Sequence, residues 1–190
     1  MTRPDNELSR QLHALASSFV SAFQDKHGHL PVIEKDEEWP SPCLAGEYSA
    51  DANFWQPTSA ESTESPLSFD NVEQALELSL HPDIKTYFTT LYSESFDLSC
   101  DDGNLTLLFP WSEADFARLQ ENIIGHVLMK RKLKQDVTIF FALTDQDDFI
   151  LSLDNQTGEV WVEQVGKAPH KKLADNLTEF LSQLTPMIYD

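Results

Sequence analysis

The sequence predicts an α+β fold in which helices flank a mainly antiparallel sheet of five or six strands. Apolar residues recur at helical spacing near the start of the chain and again after Ser112, whereas between 137 and 165 they fall into short stretches separated by a few turn residues. A hairpin signal, Asp101-Asp102-Gly103-Asn104 between two alternating runs, adds further antiparallel pairing. Strands with short connections pair antiparallel, and amphipathic helices must bury their stripes against the resulting sheet. The 190 residues show neither a repeat nor a domain boundary, so one domain spanning 1–190 is expected.

The first helix starts at an Asp5 or Asn6 cap, carries Leu8, Leu12, Leu15, Phe19 and Phe23 on one face, and stops at Gly28. Pro31, Pro40, Pro42, Pro57 and Pro66 make 29–68 read as mostly irregular. Within it, Asn53 to Gln56 forms a short strand and 58–68 a Ser/Thr/Glu-rich surface loop. Trp39 and Trp55 require part of this segment to pack on the body. Asp70-x-x-Glu73 reads as a capping box for a helix reaching about His81, and Pro82 opens another with Ile84, Tyr87, Phe88 and Leu91. Phe96 and Leu98 lead into the hairpin and Leu105 to Phe109 return from it. Ser112-x-x-Asp115 caps a long helix bearing Phe116, Leu119, Ile123, Ile124 and Val127, which ends in the basic cluster Lys130, Arg131, Lys132 and Lys134. Val137 to Leu143, Phe149 to Leu153 and Glu159 to Val165 are three strands, and a last helix covers about Pro169 to Leu184.

Charge narrows the function. Acids outnumber bases 32 to 13, a formal charge of -19, and residues 1–103 alone hold 19 acids against 5 bases. Such a chain is repelled by phosphate backbones and anionic lipid, so nucleic acid is not an expected partner; a protein with basic loops is. Residues 1–5 lead into polar sequence with no apolar signal core, and the run Ile139 to Leu143 is far short of a membrane span. The expected compartment is the cytoplasm. Cys43 and Cys100 are far apart and form no disulfide framework.

No enzyme signature is present. The six glycines form no phosphate loop, and no Gly-x-Ser-x-Gly turn occurs. Cys43, between Pro42 and Leu44, reads as a buried structural thiol. His27-Gly28-His29 lacks partners at metal-ligand spacing, and His126 reads as a hydrogen-bonded residue on a packed helix. The carboxylate pairs Glu37-Glu38, Asp101-Asp102 and Asp147-Asp148 sit in loops without sign of a desolvated pocket. No catalytic residue, metal or cofactor is expected.

Several segments, in order, resemble the Syd proteins of Gammaproteobacteria: Ser41-Pro42-Cys43, Phe54-Trp55-Gln56-Pro57, Tyr87 to Thr90, Leu105 to Leu108, Trp111-Ser112-Glu113, Gln120 to His126, Lys130 to Lys134, Gly158-Glu159-Val160 and Leu173 to Leu181. The resemblance implies a non-enzymatic, SUKH-like α+β protein. It would bind the cytoplasmic loops of SecY, the pore subunit of the translocation channel, and would sit peripherally on the cytoplasmic side of the inner membrane, monitoring or restraining the channel. The alternative is an immunity or antitoxin module neutralising a basic toxin. Candidate partner-binding acids are Glu47 near the Ser-Pro-Cys segment, Glu73 and Glu77 on one helix face, and Glu113 and Asp115 beside Trp111; Trp55, Tyr87 and Trp111 are candidate anchors. The Lys130–Lys134 cluster has two readings: stabilising a helix end, or orienting the molecule near headgroups.

Overall fold

The computed structural model describes residues 6–62 and 64–190. The Asp5 alternative for the first cap lies outside them. α1 (Glu7–His27) begins where the Asn6 side chain accepts the Leu8 N–H, and ends at Gly28, whose φ of 77° lets its own N–H return to the Gln24 carbonyl. Leu8, Leu12, Leu15 and Phe19 are buried along it, as the spacing requires.

The proline-rich segment is more regular than the sequence suggests. β1 (Val32–Glu34), β2 (Leu44–Ser49) and β3 (Ala52–Trp55) form an antiparallel sheet in the order β1-β3-β2. Pro31, Pro40, Pro42 and Pro57 all lie in its connections, where they interrupt no ladder bond. The expected loop at 58–68 likewise starts with a strand, β4 (Thr58–Ser59), which pairs with β5 (Leu91–Tyr92).

Between β4 and β5 lie α2 (Asp70–Leu76) and α3 (Pro82–Thr90). α2 is shorter than its apolar spacing suggests, because Glu77 adopts a left-handed φ of 49° and ends it. Asp70 is no cap; it sits in the first turn after Phe69. Glu73 instead turns its carboxylate beyond the helix, accepting the Leu80 N–H at 2.8 Å and meeting Lys85 at 3.4 Å. α3 begins at Pro82 as expected.

The main sheet has seven antiparallel strands, ordered β11-β10-β9-β8-β7-β6-β12. These are β6 (Phe96–Cys100), β7 (Gly103–Leu107), β8 (Thr138–Thr144), β9 (Phe149–Asp154), β10 (Val160–Gln164), β11 (Lys171–Ala174) and β12 (Thr185–Pro186). α4 (Glu113–Lys132) joins β7 to β8, and α5 (Leu177–Leu181) lies between β11 and β12. The α+β class therefore holds, with one or two more strands than expected. One addition, β11, comes from the segment read as a final helix at 169–184, and the other, β12, lies just beyond it. Leu173 fits that helix's spacing, yet β10 offers an open edge, and pairing Lys171 and Lys172 with it satisfies backbone groups that a helix would leave exposed. The helix proper starts only where Asn176 caps it.

The sheet separates two layers. On one face Phe96 stacks on Phe19 of α1, and Phe141 meets Tyr87 of α3 and Phe180 of α5. On the other, α4 covers Thr138, Phe140 and Glu163. Here the expected surface cluster divides: Lys130 is wholly buried, its Nζ 2.7 Å from Glu163 and donating also to Gln135 and to the Lys167 carbonyl. Thr138 gives its only hydroxyl proton to Glu163, so the 3.2 Å contact with His126 has Nε2–H of the imidazole as donor. Among the described residues, no helix is long and apolar enough to cross a membrane.

Candidate partner-binding groove

The sequence-predicted positions fall into two groups in space. Glu47, Trp55, Trp111, Glu113 and Asp115 converge where the small sheet meets the start of α4. Glu73, Glu77 and Tyr87 lie elsewhere.

The convergence starts from backbone chemistry. Ser112 accepts the Asp115 N–H, while Asp115 accepts the N–H of Trp111 at 2.8 Å, so two otherwise unpaired donors at the head of α4 are satisfied reciprocally. This fixes Trp111, whose carbonyl accepts the Ser41 hydroxyl at 2.6 Å and whose indole N–H reaches the Trp39 carbonyl. Trp55, at the end of β3, meets Trp111 edge-on at 6.0 Å. Both rings are buried and act as the wall that ties the small sheet to α4. The Ser-Pro-Cys turn closes the junction. Ser41 Oγ accepts the Cys43 N–H, and burial pushes the Cys43 thiol above its usual pKa, as suits a structural rather than a nucleophilic cysteine.

A groove of about 440 Å³ opens beside this wall. Ile33, Leu44 and Asn53 from the three small strands and the rings of Trp39 and Trp111 line it, with Glu34, Lys35 and Asp36 at its rim. Glu47 is brought there by a bulged register in β2, opposite Asn53, and approaches Lys35 at 3.5 Å. Exposed Glu37 and Glu38 continue the acidic run along the same segment. Arg118 of α4 lies 5.1 Å above the Trp39 ring and holds it in place. Glu113 stands exposed at the head of α4, near enough to Tyr92 that its charge, after burial, helps raise that phenol's pKa. The groove thus combines a lightly apolar floor with a rim on which exposed carboxylates outnumber Lys35. That arrangement suits cationic side chains whose stems lie against tryptophan.

The remaining candidates have structural work. Glu73 and Glu77 do not share a helix face, since Glu77 has already left the helix and Glu73 is neutralised by Lys85. Tyr87 is completely enclosed; burial pushes its phenol well above the ordinary value, and its hydroxyl points at the Phe141 carbonyl. Sequence reasoning missed Glu34, Asp36 and Leu44 as groove residues. The acid run from Glu34 to Glu38 beside Trp39 was the available signal, obscured by reading this stretch as irregular. Among the described residues, no group of three or more His, Cys, Asp or Glu side chains is placed to hold a metal ion.

Comparison with known proteins gives this groove its context. The profile of the family described as "Syd protein (SUKH-2)" matches residues 9–186. Protein Syd of Colwellia psychrerythraea is 52% identical, over 97% of this chain and 96% of its own. Protein Syd of Alteromonas mediterranea is 46% identical, over 95% and 97%, and that of Pseudoalteromonas atlantica 43% identical, over 90% and 91%. With identity this high across almost the whole of each chain, this protein belongs to the Syd family.

Proposed function

We propose that the groove receives a basic cytoplasmic loop of SecY, and that the protein acts by binding alone, on the cytoplasmic side of the inner membrane. The observation that carries this reading is the rim itself: Glu34 and Asp36 line one groove, Glu47 stands beside it against Lys35, and Glu113 follows two residues after Trp111. Membrane proteins concentrate Lys and Arg in their cytoplasmic loops, so the inner face of a channel offers the complementary charge. Long-range attraction would govern encounter and orientation, while contact of lysine or arginine stems with Trp39 and Leu44 would prolong the complex. Rim carboxylates open to solvent suit ion pairing; a general acid needs a desolvated carboxyl instead. Bound in this way, the protein would monitor or restrain the channel.

The test is binding to detergent-solubilised SecY complex at low and high salt. Wild-type protein should bind at low salt and weaken steeply as salt rises. Replacing Glu34, Asp36 and Glu47 together by Lys should reduce affinity on the order of 100-fold, taking roughly 1 kcal/mol per rim charge. A folded triple variant that binds normally would remove the groove from the site. Absence of wild-type binding at low salt would instead favour an immunity-type module whose target is a basic toxin.

A further inference from the structure

A second surface stands out against the charge of the whole. Among the described residues, Lys26, Lys35, Lys85, Lys130, Lys171 and Lys172 each stand within 4.0 Å of a carboxylate. In a chain with 32 acids that is the expected fate of a lysine. Lys132, Lys134 and Lys167 have no such partner, and the guanidinium of Arg131 donates to the Leu76 carbonyl rather than to an acid. All four belong to one corner. Gln135, just past α4, donates to the Gly166 carbonyl, and Lys130 donates to that of Lys167, so the end of the helix and the β10–β11 turn lie side by side. Asp136, Asp148 and Glu77 are acids at its margin, Asp148 accepting the Val165 N–H through its backbone and Glu77 following the Leu76 carbonyl that Arg131 meets.

Apolar side chains are exposed at the same corner. Leu133 is 45% exposed and Val165 51%; Leu128, 52% exposed, lies one turn further back on α4, beside Lys132. Stabilising the negative end of a helix explains cations there, but not leucines in water beside them. Nor does it explain Lys134, which occupies the left-handed position after the helix, with φ 56°, where glycine is ordinarily preferred. A charge is kept there against the backbone's preference.

We propose that this corner rests on an anionic lipid surface, with Lys132, Lys134 and Lys167 among the headgroups and Leu133 and Val165 entering the interface. Clustered cations beside exposed aliphatic residues match the two components of such a surface. The charge of -19 does not forbid it. At physiological ionic strength the screening length is about 8 Å, whereas the 20 residues of α4 separate this corner from the acidic groove by about 30 Å. With α4 rising away from the membrane, its last turn would meet lipid while its first faces whatever the groove binds. The contact requires no occupant in the groove.

The experiment is co-sedimentation of the full chain with vesicles of phosphatidylcholine alone or mixed with phosphatidylglycerol, at about 0.15 M salt. The protein should sediment only with the mixed vesicles. Charge reversal at Lys132, Lys134 and Lys167 together should weaken binding on the order of 100-fold, near fivefold per cation. Lys134→Gly is the sharper variant: it should raise Tm by relieving the left-handed backbone while weakening vesicle binding about fivefold. Failure of the wild type to bind mixed vesicles, equal binding to neutral ones, or unchanged binding of the triple variant would overturn the proposal. So would self-association without vesicles that the triple variant loses, which would assign the corner to the acidic groove of a second copy.

Discussion

Lys130 and Glu163 show how one buried residue can depend on another. Both are fully enclosed, 2.7 Å apart, and every remaining contact of the ammonium is to an oxygen. Removing only the carboxylate strands a charge without solvent. Glu163→Leu should therefore cost about 3–5 kcal/mol in urea unfolding, and adding Lys130→Met should restore much of that loss. His126, in contact with the same network, ties it to pH. Burial holds this imidazole below its ordinary 6.5, outweighing the attraction of Glu163. Below pH 6.5 the unfolded chain takes up a proton that the folded chain resists, so stability that is complete above 6.5 is lost as pH falls. Tm should decline from about pH 7.5 to 5.5 more steeply in the wild type than in His126→Gln; parallel profiles would remove His126 as the cause.

At the scale of elements, connections decide as much as helices do. The β9–β10 turn passes over His81 at the head of α3. Gly158 has φ +79°, and a Cβ there would stand 2.6 Å from the His81 ring. His81 is also tied to this turn by its N–H on the Asn155 side chain. Gly158→Ala should cost about 2–4 kcal/mol, from left-handed strain together with displacement of the ring. A loss below about 1 kcal/mol would show that the turn yields freely. At the head of α4, Asp115→Asn keeps an acceptor for the Trp111 N–H while removing a charge. Its Tm should move little, and any accompanying loss of SecY binding would count as electrostatic.

The whole molecule is electrically lopsided along α4. Carboxylates gather beside its first turn, while Lys132, Lys134 and Lys167, which among the described residues have no carboxylate within 4.0 Å, gather at or beyond its last. Each cluster also complements the helix dipole, so the same charges serve the fold and shape the outer field. The two ends should be separable in solution. Reversing the rim acids should weaken salt-dependent binding to the SecY complex on the order of 100-fold and leave vesicle binding intact, whereas reversing the corner lysines should do the opposite. Loss of both functions in either variant would indicate one continuous surface.

By itself the sequence determined the α+β class, α1 and its stop at Gly28, the proline at the head of α3, the hairpin and the run of strands from 138 to 164. These are signals in which neighbouring residues act together: a stripe repeating every turn, a cap beside its helix, a turn between two alternating runs. It also carried the acidic excess and the segments by which the family is resembled. Only the tertiary structure decided which edge Lys171 and Lys172 would join, that Glu73 would turn to Leu80 and Lys85, that Lys130 would be buried while Lys132 and Lys134 were not, and that Glu34, Asp36, Leu44 and Trp111 would share a groove. Each of those outcomes depends on a partner distant in sequence: an open strand edge, a carbonyl or a carboxylate delivered by another element. Local propensity carries no record of what the rest of the chain will bring within reach.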